Sequence, residues 1–154
     1  MKKQLIGMRM SMSLADNKTG ELWKTFMTRR KEVKNAVGSG FYSVQFYAQD
    51  YFEKFSPDRE FEKWAAMEVS DISSVPDGME VFIIPTGLYA VFFYKGSSAK
   101  SPEIFQYIFG TWLPRSGYQL DDRPHFEVLG PKYKNNDPDS EEEIWIPVLK
   151  SLQG

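Results

Sequence analysis

The stretches SPDREFEKWAAM (residues 56–67) and DPDSEEEIWIPV (residues 137–148) align with each other at a constant offset of 81 positions. Both begin with a Pro-Asp turn, and both place a glutamate two positions before a tryptophan, as Glu62–Trp64 and Glu143–Trp145. Such self-similarity indicates that one supersecondary unit occurs twice in the chain.

Earlier segments repeat in the same order at an offset of 82. ELWKTFM (21–27) corresponds to EIFQYIF (103–109), and MRMSM (8–12) corresponds to AVFFY (90–94). Deletion of one residue from a loop accounts for the change of offset from 82 to 81. The whole chain is therefore expected to consist of two copies of the unit.

Periodicity predicts the same order of elements in both copies. Residues 5–14 alternate apolar and polar side chains, which is typical of a strand, and residues 18–36 place apolar side chains along one helical stripe. The other expected elements are strands at 41–49 and 60–70, a connecting segment with a short strand at 73–85, a strand at 88–96, a helix from Ser101 to Pro114, and strands at 125–130 and 141–148. The predicted fold is α+β: a duplicated β-α-β-β unit forming an antiparallel sheet with two helices on one face. The copies, 1–72 and 79–150, are expected to form a single domain over residues 1–154.

Composition excludes several classes of protein. The 154 residues include 19 Lys+Arg and 21 Asp+Glu, so the chain lacks the basic character that direct binding to nucleic acid requires. Cysteine is absent, which excludes disulfides and thiolate metal sites. No apolar run approaches the length of a membrane span, and the basic start lacks a cleavage site. We therefore expect a cytoplasmic protein with no cofactor, no metal, no membrane association and no direct nucleic-acid partner.

The last predicted strand has two different faces, because successive side chains along a strand point in opposite directions. An apolar row, Ile144, Ile146 and Val148, is expected to pack under the helices. Glu143 and Trp145 would then lie on the opposite face.

Carrying this phase through the repeat predicts which other side chains share the face of Trp145. Phe126 and Val128 are expected to pack under the helices. The side chains expected on the same face as Trp145 are Tyr89, Val91, Phe93, His125, Glu127 and Leu129. A face of this mixture is too apolar for a free surface and too acidic for a core, whereas a ligand cleft lined by aromatic rings with one or two carboxylates fits it.

Three segments in order resemble the sequence pattern of GyrI-like small-molecule-binding domains: PTGLYAVFFYKG (85–96), GTWLPRSGYQLDDRPHFEVL (110–129) and EEEIWIPV (141–148). The resemblance covers nearly the whole chain and is clearest over residues 79–148. Such domains are similar to the effector-binding parts of AraC-type and MerR-type multidrug regulators. The resemblance implies a duplicated β-α-β-β fold that holds lipophilic, often cationic, compounds in the cleft between its halves.

The resemblance also implies which residues would contact a ligand. The glutamate of the family's final strand corresponds to Glu143, and Glu142 is its rival because a one-residue slip of the strand exchanges the two faces. The further ligand-binding residues would be Trp145, Tyr89, Phe93, Glu127, Trp64 and Tyr107. The chain has no room for a DNA-binding helix-turn-helix, so it resembles a stand-alone form of the domain.

Three functions fit these observations. The leading one is binding of hydrophobic small molecules, aromatic or cationic, with Glu143 neutralising a ligand's charge and the rings adding cation–π contacts. The first alternative is a hydrolase of reactive small molecules, in which Glu143 is the general base and Tyr89 or Tyr107 donates a proton. The second alternative is a protein-interaction or inhibitor module, for which an exposed apolar patch would suffice. His125 is not expected to bind a metal, because one histidine without clustered ligands does not form a metal site.

Overall fold

The computed structural model describes residues 3–38, 40–48, 50–52, 54–97, 101–130 and 137–150, with only the backbone described at 101 and 102. The chain divides into two compact units, Met1–Thr86 and Gly87–Gly154, called the first and second unit below. The ends of the domain predicted over residues 1–154 lie outside the described residues. That the two copies make a single domain stays a prediction.

The first unit has the predicted β-α-β-β order followed by the connecting strand. Its elements are β1 (Lys3–Met12), α1 (Thr19–Arg29), a 3-10 turn (Arg30–Glu32), β2 (Phe41–Phe46), β3 (Phe61–Glu68) and β4 (Glu80–Ile84). The strands pair antiparallel in the order β4-β1-β3-β2. The connecting strand therefore extends the sheet of the first unit, next to β1.

The core of the first unit lies between α1 and one face of its strands. Leu22 and Phe26, one helical turn apart on α1, are buried together with Met12 and Ala65 of the strands. Met8 and Met10 pack against the same cluster. The alternation of β1 thus turns its methionine row toward the helix.

The helix predicted over residues 18–36 ends earlier than expected. Val33 is already extended, and Ala36 forms a β-bridge with Val69. The backbone N–H of Val37 donates to the carbonyl oxygen of Glu68 at 2.8 Å. Because the backbone of this segment pairs with the end of β3, it cannot at the same time continue the helix.

The second unit repeats the β-α-β-β order and adds further helical turns after its first helix and a three-residue strand. Its elements are β5 (Tyr89–Lys95), α2 (Ser101–Tyr107), a π-helical turn (Ile108–Trp112), α3 (Leu113–Arg115), β6 (Tyr118–Leu120), β7 (His125–Leu129) and β8 (Glu141–Lys150). The strands β7, β8 and β5 are antiparallel neighbours in that order, and β6 also pairs with β8. The predicted α+β class and the duplicated antiparallel unit are confirmed. The three-residue strand β6 was not predicted, because it is too short to show a period.

The apolar row of β8 packs under the helical segment, as predicted. Ile144, Ile146 and Val148 are buried in one cluster with Ile108 of the π-helical turn. Burial of these aliphatic side chains fixes which face of β8 points to the helix, and it leaves the face of Trp145 to other contacts.

The phase predicted for β7 is wrong. Phe126 pairs with Trp145 across the strands, whereas Glu127 pairs with Ile144. Directly paired residues share a face, so Phe126 lies beside Trp145 and Glu127 lies on the helix side. The sequence HFEVL alternates, but alternation does not say which row is the core when both faces of the sheet carry apolar side chains.

Val128 and His125 of β7 also lie on the faces opposite to those predicted. Val128 pairs with Glu143 and therefore lies on the face opposite to the helix. His125 is buried, and its ring lies 6.2 Å from the ring of Phe109 in the helical segment.

Within the residues described, no helix is both long and apolar enough to cross a lipid bilayer.

Candidate functional site

The repeated glutamate–tryptophan pair forms the same hydrogen bond in both units. The indole Nε1 of Trp145 donates to Oε1 of Glu143 at 2.9 Å, and the indole Nε1 of Trp64 donates to Oε1 of Glu62 at 2.8 Å. Residues two apart on a strand lie on the same face, so the indole reaches the carboxylate without distortion of the backbone. We call each pair the Glu–Trp motif.

The strand register decides between Glu142 and Glu143. Glu143 pairs with Phe93, whereas Glu142 pairs with Tyr94. Tyr94 packs against the buried cluster on the helix side. Glu143 is therefore the carboxylate that shares a face with Trp145.

An aromatic cluster surrounds Trp145 in the second unit. The ring of Phe126 stacks on the indole with a centroid distance of 5.2 Å and an interplanar angle of 18°. Tyr89 lies edge-on to both rings, 5.7 Å from Trp145 and 5.4 Å from Phe126. Pairs in these geometries are each worth about 0.5–1.5 kcal/mol beyond the area they bury, so the buried ring of Phe126 holds the partly exposed rings of Trp145 and Tyr89 in place.

Two apolar side chains beside this cluster are exposed. Val91, which pairs with Trp145, is 38% exposed, and Phe93, which pairs with Glu143, is 80% exposed. The exposed ring of Phe93 next to the carboxylate of Glu143 leaves apolar area available for contact.

Arg123 supports the cluster from behind Tyr89, and sequence reasoning missed it. Its guanidinium lies 4.6 Å from the centre of the Tyr89 ring, and its Nε donates to Asp121 at 2.6 Å. Its Nη2 donates to the carbonyl oxygens of Leu88 and Val148, at 2.6 and 3.0 Å. Arg123 thus joins the start of β5 to the end of β8. The only sequence signal was the run DDRP before β7.

A glycine makes room for this arginine. A Cβ added at Gly87 would lie 2.0 Å from Nη1 of Arg123. Nη1 of Arg123 and the hydroxyl of Tyr89 are both buried and have no hydrogen-bond partner among the described residues. Burial raises the pKa of the Tyr89 phenol, although the neighbouring Arg123 acts in the opposite direction.

The first unit surrounds its Glu–Trp motif differently. The ring of Phe82 lies 5.5 Å from Trp64, and Phe46 lies 4.8 Å from Phe82. Arg9 donates from Nη1 to Oε2 of Glu62 at 2.8 Å and from Nε to Glu80 at 2.7 Å. Its guanidinium lies 6.0 Å from the Trp64 ring centre. Hydrogen bonds to Glu80 and Glu62 raise the pKa of Arg9.

The two motifs share one strand register, and this identifies which residues differ. The residues opposite the tryptophan and the glutamate are Arg9 and Ser11 on β1, and Val91 and Phe93 on β5. Every one of these correspondences keeps the offsets of 82 and 81 read from the sequence. The second unit therefore carries apolar side chains at the positions where the first unit carries the cation and a serine.

Because the second unit has a valine where the first has Arg9, Glu143 has fewer partners than Glu62 among the described residues. Oε1 of each glutamate accepts the indole hydrogen bond, and Oε2 of Glu62 accepts a second one from Arg9. Glu143 has no ion-pair partner within 4 Å in the part of the chain that the structure describes, and its Oε2 accepts no hydrogen bond there.

Two predicted site residues of the second unit do not join this cluster. Glu127 faces the helix side, as its pairing with Ile144 requires. Tyr107 lies on α2, which packs on the same helix side, and its side chain is 47% exposed. Trp64 belongs to the first unit and is 5% exposed. The structure thus groups Glu143, Trp145, Tyr89 and Phe93 with Val91 on the predicted face, and it adds Phe126.

The first unit has an open groove of 460 Å³ whose lining residues are Arg30, Lys31, Val33, Phe41 and Met67. Its apolar lining belongs to the helix side of the unit.

Over the described ranges, no three His, Asp or Glu side chains come together as metal ligands would. Burial lowers the pKa of His125 to about 4.

Comparison with known proteins gives one family and several relatives. The model of the GyrI-like small-molecule-binding domain matches residues 2–149. The transcriptional regulator BrlR of Pseudomonas aeruginosa is 29% identical over 149 residues, which cover 94% of this chain and 51% of BrlR. The chain therefore spans about half the length of that relative.

Two solved structures share the fold. SAV2435, solved bound to tetraphenylphosphonium, superposes with a TM-score of 0.74 at 13% identity, covering 96% of this chain and 89% of SAV2435. The C-terminal domain of EcmrR superposes with a TM-score of 0.71 at 14% identity, covering 97% of this chain and 93% of that domain.

Proposed function

The chain belongs to the GyrI-like small-molecule-binding domain family, and we propose that it binds lipophilic cations on the face of the second unit that carries Trp145 and Glu143. The observation that carries this proposal is the open Oε2 of Glu143, next to exposed apolar side chains. A carboxylate in that setting attracts a cation that also has apolar surface to bury.

The aromatic cluster supplies the remaining contacts. A cation over a ring face gains about 0.5–2 kcal/mol, depending on how far it is desolvated. Trp145 is partly exposed, and the buried ring of Phe126 stacks on it and holds the indole in place. Phe93 and Val91 add exposed apolar area beside it. Such a surface adapts to many shapes, which favours loose selectivity among hydrophobic cations.

The relatives support this choice of ligand class. SAV2435 was solved with tetraphenylphosphonium, a cation whose charge is surrounded by four phenyl rings. BrlR is a transcriptional regulator, which fits a domain that senses small molecules. For the present chain the ligand and any regulatory output are parts of the proposal.

The test compares a cation with a neutral analogue in two matched variants. Wild type, Glu143→Gln and Glu62→Gln are titrated with tetraphenylphosphonium and with neutral triphenylphosphine oxide, and thermal stability is measured. A ligand at about 100 times its Kd adds about 2.7 kcal/mol of stability, and each kcal/mol raises Tm by about 2–4 °C in a protein of this size. We expect Glu143→Gln to weaken phosphonium binding about tenfold, which is 1.4 kcal/mol, and Glu62→Gln to leave it unchanged.

Three results would contradict the proposal. Wild type could fail to respond to the cation, the neutral oxide could stabilise it equally, or both glutamate variants could respond alike. The first result would favour a protein partner for the exposed surface of Val91 and Phe93. The second would leave an aromatic site without an ionic anchor.

The register does not favour the hydrolase alternative in the form that uses Tyr89 as the proton donor. Tyr89 pairs with Pro147, four positions along β8 from Glu143, which corresponds to roughly 13 Å of strand. A general base and a proton donor that act on one bond should lie within hydrogen-bond reach of the same small substrate. The Tyr89 hydroxyl is also buried. A search for products among the ligands found by thermal shift would test this alternative directly.

A further inference from the structure

The face of the first unit around Trp64 has the components of the proposed cation site, and it also contains a cation. Glu62 holds the indole through one carboxylate oxygen and holds Arg9 through the other. The guanidinium of Arg9 lies over the Trp64 ring and binds Glu80 as well. An external cation bound at the second motif would make the same kinds of contact with Glu143 and Trp145.

We propose that the Trp64 face is a second cation-recognition site of the same construction, and that the chain's own Arg9 occupies it. The ligand class that would replace the arginine is a guanidinium or ammonium that carries a short apolar group. The wild-type chain would then bind one external cation, at the second unit, although it carries two Glu–Trp motifs.

Three features support occupation by Arg9 rather than a structural ion pair alone. The two carboxylates outnumber the one guanidinium, so the site without Arg9 would carry two uncompensated negative charges. The side chain of Arg9 is 47% exposed, so the arginine covers the indole from the solvent side and is not part of the core. Trp64 beneath it is 5% exposed, and the ring of Phe82 lies against it.

The matching position of the second unit carries an apolar side chain instead of a cation. Arg9 lies opposite Trp64 on β1, and Val91 lies opposite Trp145 on β5. Exchange at this single position would therefore open one site or close the other. Arg9 reaches both carboxylates because its strand, β1, pairs with β3, which carries Glu62, and with β4, which carries Glu80.

The opening experiment is done in a background where the second unit cannot bind. Glu143→Gln is compared with the double variant Arg9→Ala, Glu143→Gln by calorimetric titration with benzylguanidinium and with its neutral analogue benzylurea. We expect the double variant to bind benzylguanidinium at least about tenfold more tightly than Glu143→Gln does. Benzylurea should not gain, and adding Glu62→Gln should remove the gain.

A matched control separates this effect from the simple loss of a surface arginine. Arg29 is bound to Glu32 at 2.8 Å in the same unit, so Arg29→Ala in the Glu143→Gln background also leaves a free carboxylate. It should not create benzylguanidinium binding, because the Glu–Trp motif is absent there. Urea unfolding of each variant checks that the protein remains folded.

The closing experiment uses the converse substitution. Val91→Arg should weaken tetraphenylphosphonium binding at least about tenfold, and Val91→Gln measures the purely steric part that the arginine must exceed. The proposal is overturned if the folded Arg9→Ala double variant gains no cation binding, or if it binds benzylurea equally well. Should Arg9→Ala not fold, equal effects of Val91→Arg and Val91→Gln would overturn it. A wild type without cation binding, combined with a gain in the double variant, would refute only the function proposed for the second unit.

Discussion

Acidification should destabilise this protein through one residue, His125, the only histidine in the chain. Burial lowers its pKa in the folded protein from an ordinary value of 6.5 to about 4. The histidine therefore binds a proton near pH 6.5 in the unfolded chain but only near pH 4 in the folded protein. The stability is fully present above about pH 6.5, falls as the pH decreases, and levels off below about pH 4.

The size of the effect follows from the shift. A difference of about 2.5 pKa units corresponds to roughly 3 kcal/mol over the whole range. Between about pH 7.5 and about pH 5.5 the expected loss is about 1.3 kcal/mol. Carboxylates with lowered pKa, such as Asp50 and Glu32, release their contribution at lower pH. The loss within this window therefore belongs to the histidine.

Urea unfolding followed by tryptophan fluorescence at several pH values measures this loss. The variant His125→Gln keeps a polar side chain without the titration, so its free energy of unfolding should be flat over the same window. A proton NMR titration of the single histidine gives the folded pKa independently. A folded pKa near 6.5, or equal pH dependence in wild type and variant, would refute the burial of His125 and with it the corrected phase of β7.

Three further substitutions test the packing within the two units. Tyr89→Phe removes a buried hydroxyl that has no hydrogen-bond partner among the described residues, so the free energy of unfolding should stay the same or rise by up to about 1 kcal/mol; a loss would show that the hydroxyl is bonded. Gly7→Ala places a Cβ 2.1 Å from the carbonyl oxygen of Ala65 and 2.6 Å from the Cβ of Ala66, within strands paired on both sides. It should cost about 3 kcal/mol or more, whereas Gly20→Ala, with open space around it, should stabilise α1 by about 0.5–1 kcal/mol; equal urea midpoints for the two variants would contradict this.

Most of the fold could be predicted from local patterns. The offsets of 82 and 81 predicted two copies of one unit, and the paired strands preserve both offsets. The apolar row of β8 predicted the side that packs on the helix. The end of α1 could not be predicted, because Ala36 and Val37 are drawn into pairing with a strand more than thirty residues away.

The candidate site was predicted in part. The spacing of Glu143 and Trp145 alone put them on one face, since side chains two apart on a strand point the same way. The alternation of β7 could not choose its own face, and so Phe126 was assigned to the core and Glu127 to the site. Arg123 was missed because its contacts are with backbone carbonyls and a ring distant in the sequence.

The sequence by itself determined that there are two Glu–Trp motifs in two equivalent units, because repetition and alternation are local properties of the chain. Only the tertiary structure decided that the motifs differ in charge. The side chain opposite each tryptophan comes from another strand, Arg9 in one unit and Val91 in the other. Cross-strand pairing brings together residues more than fifty positions apart, and it neutralises Glu62 while leaving Glu143 open.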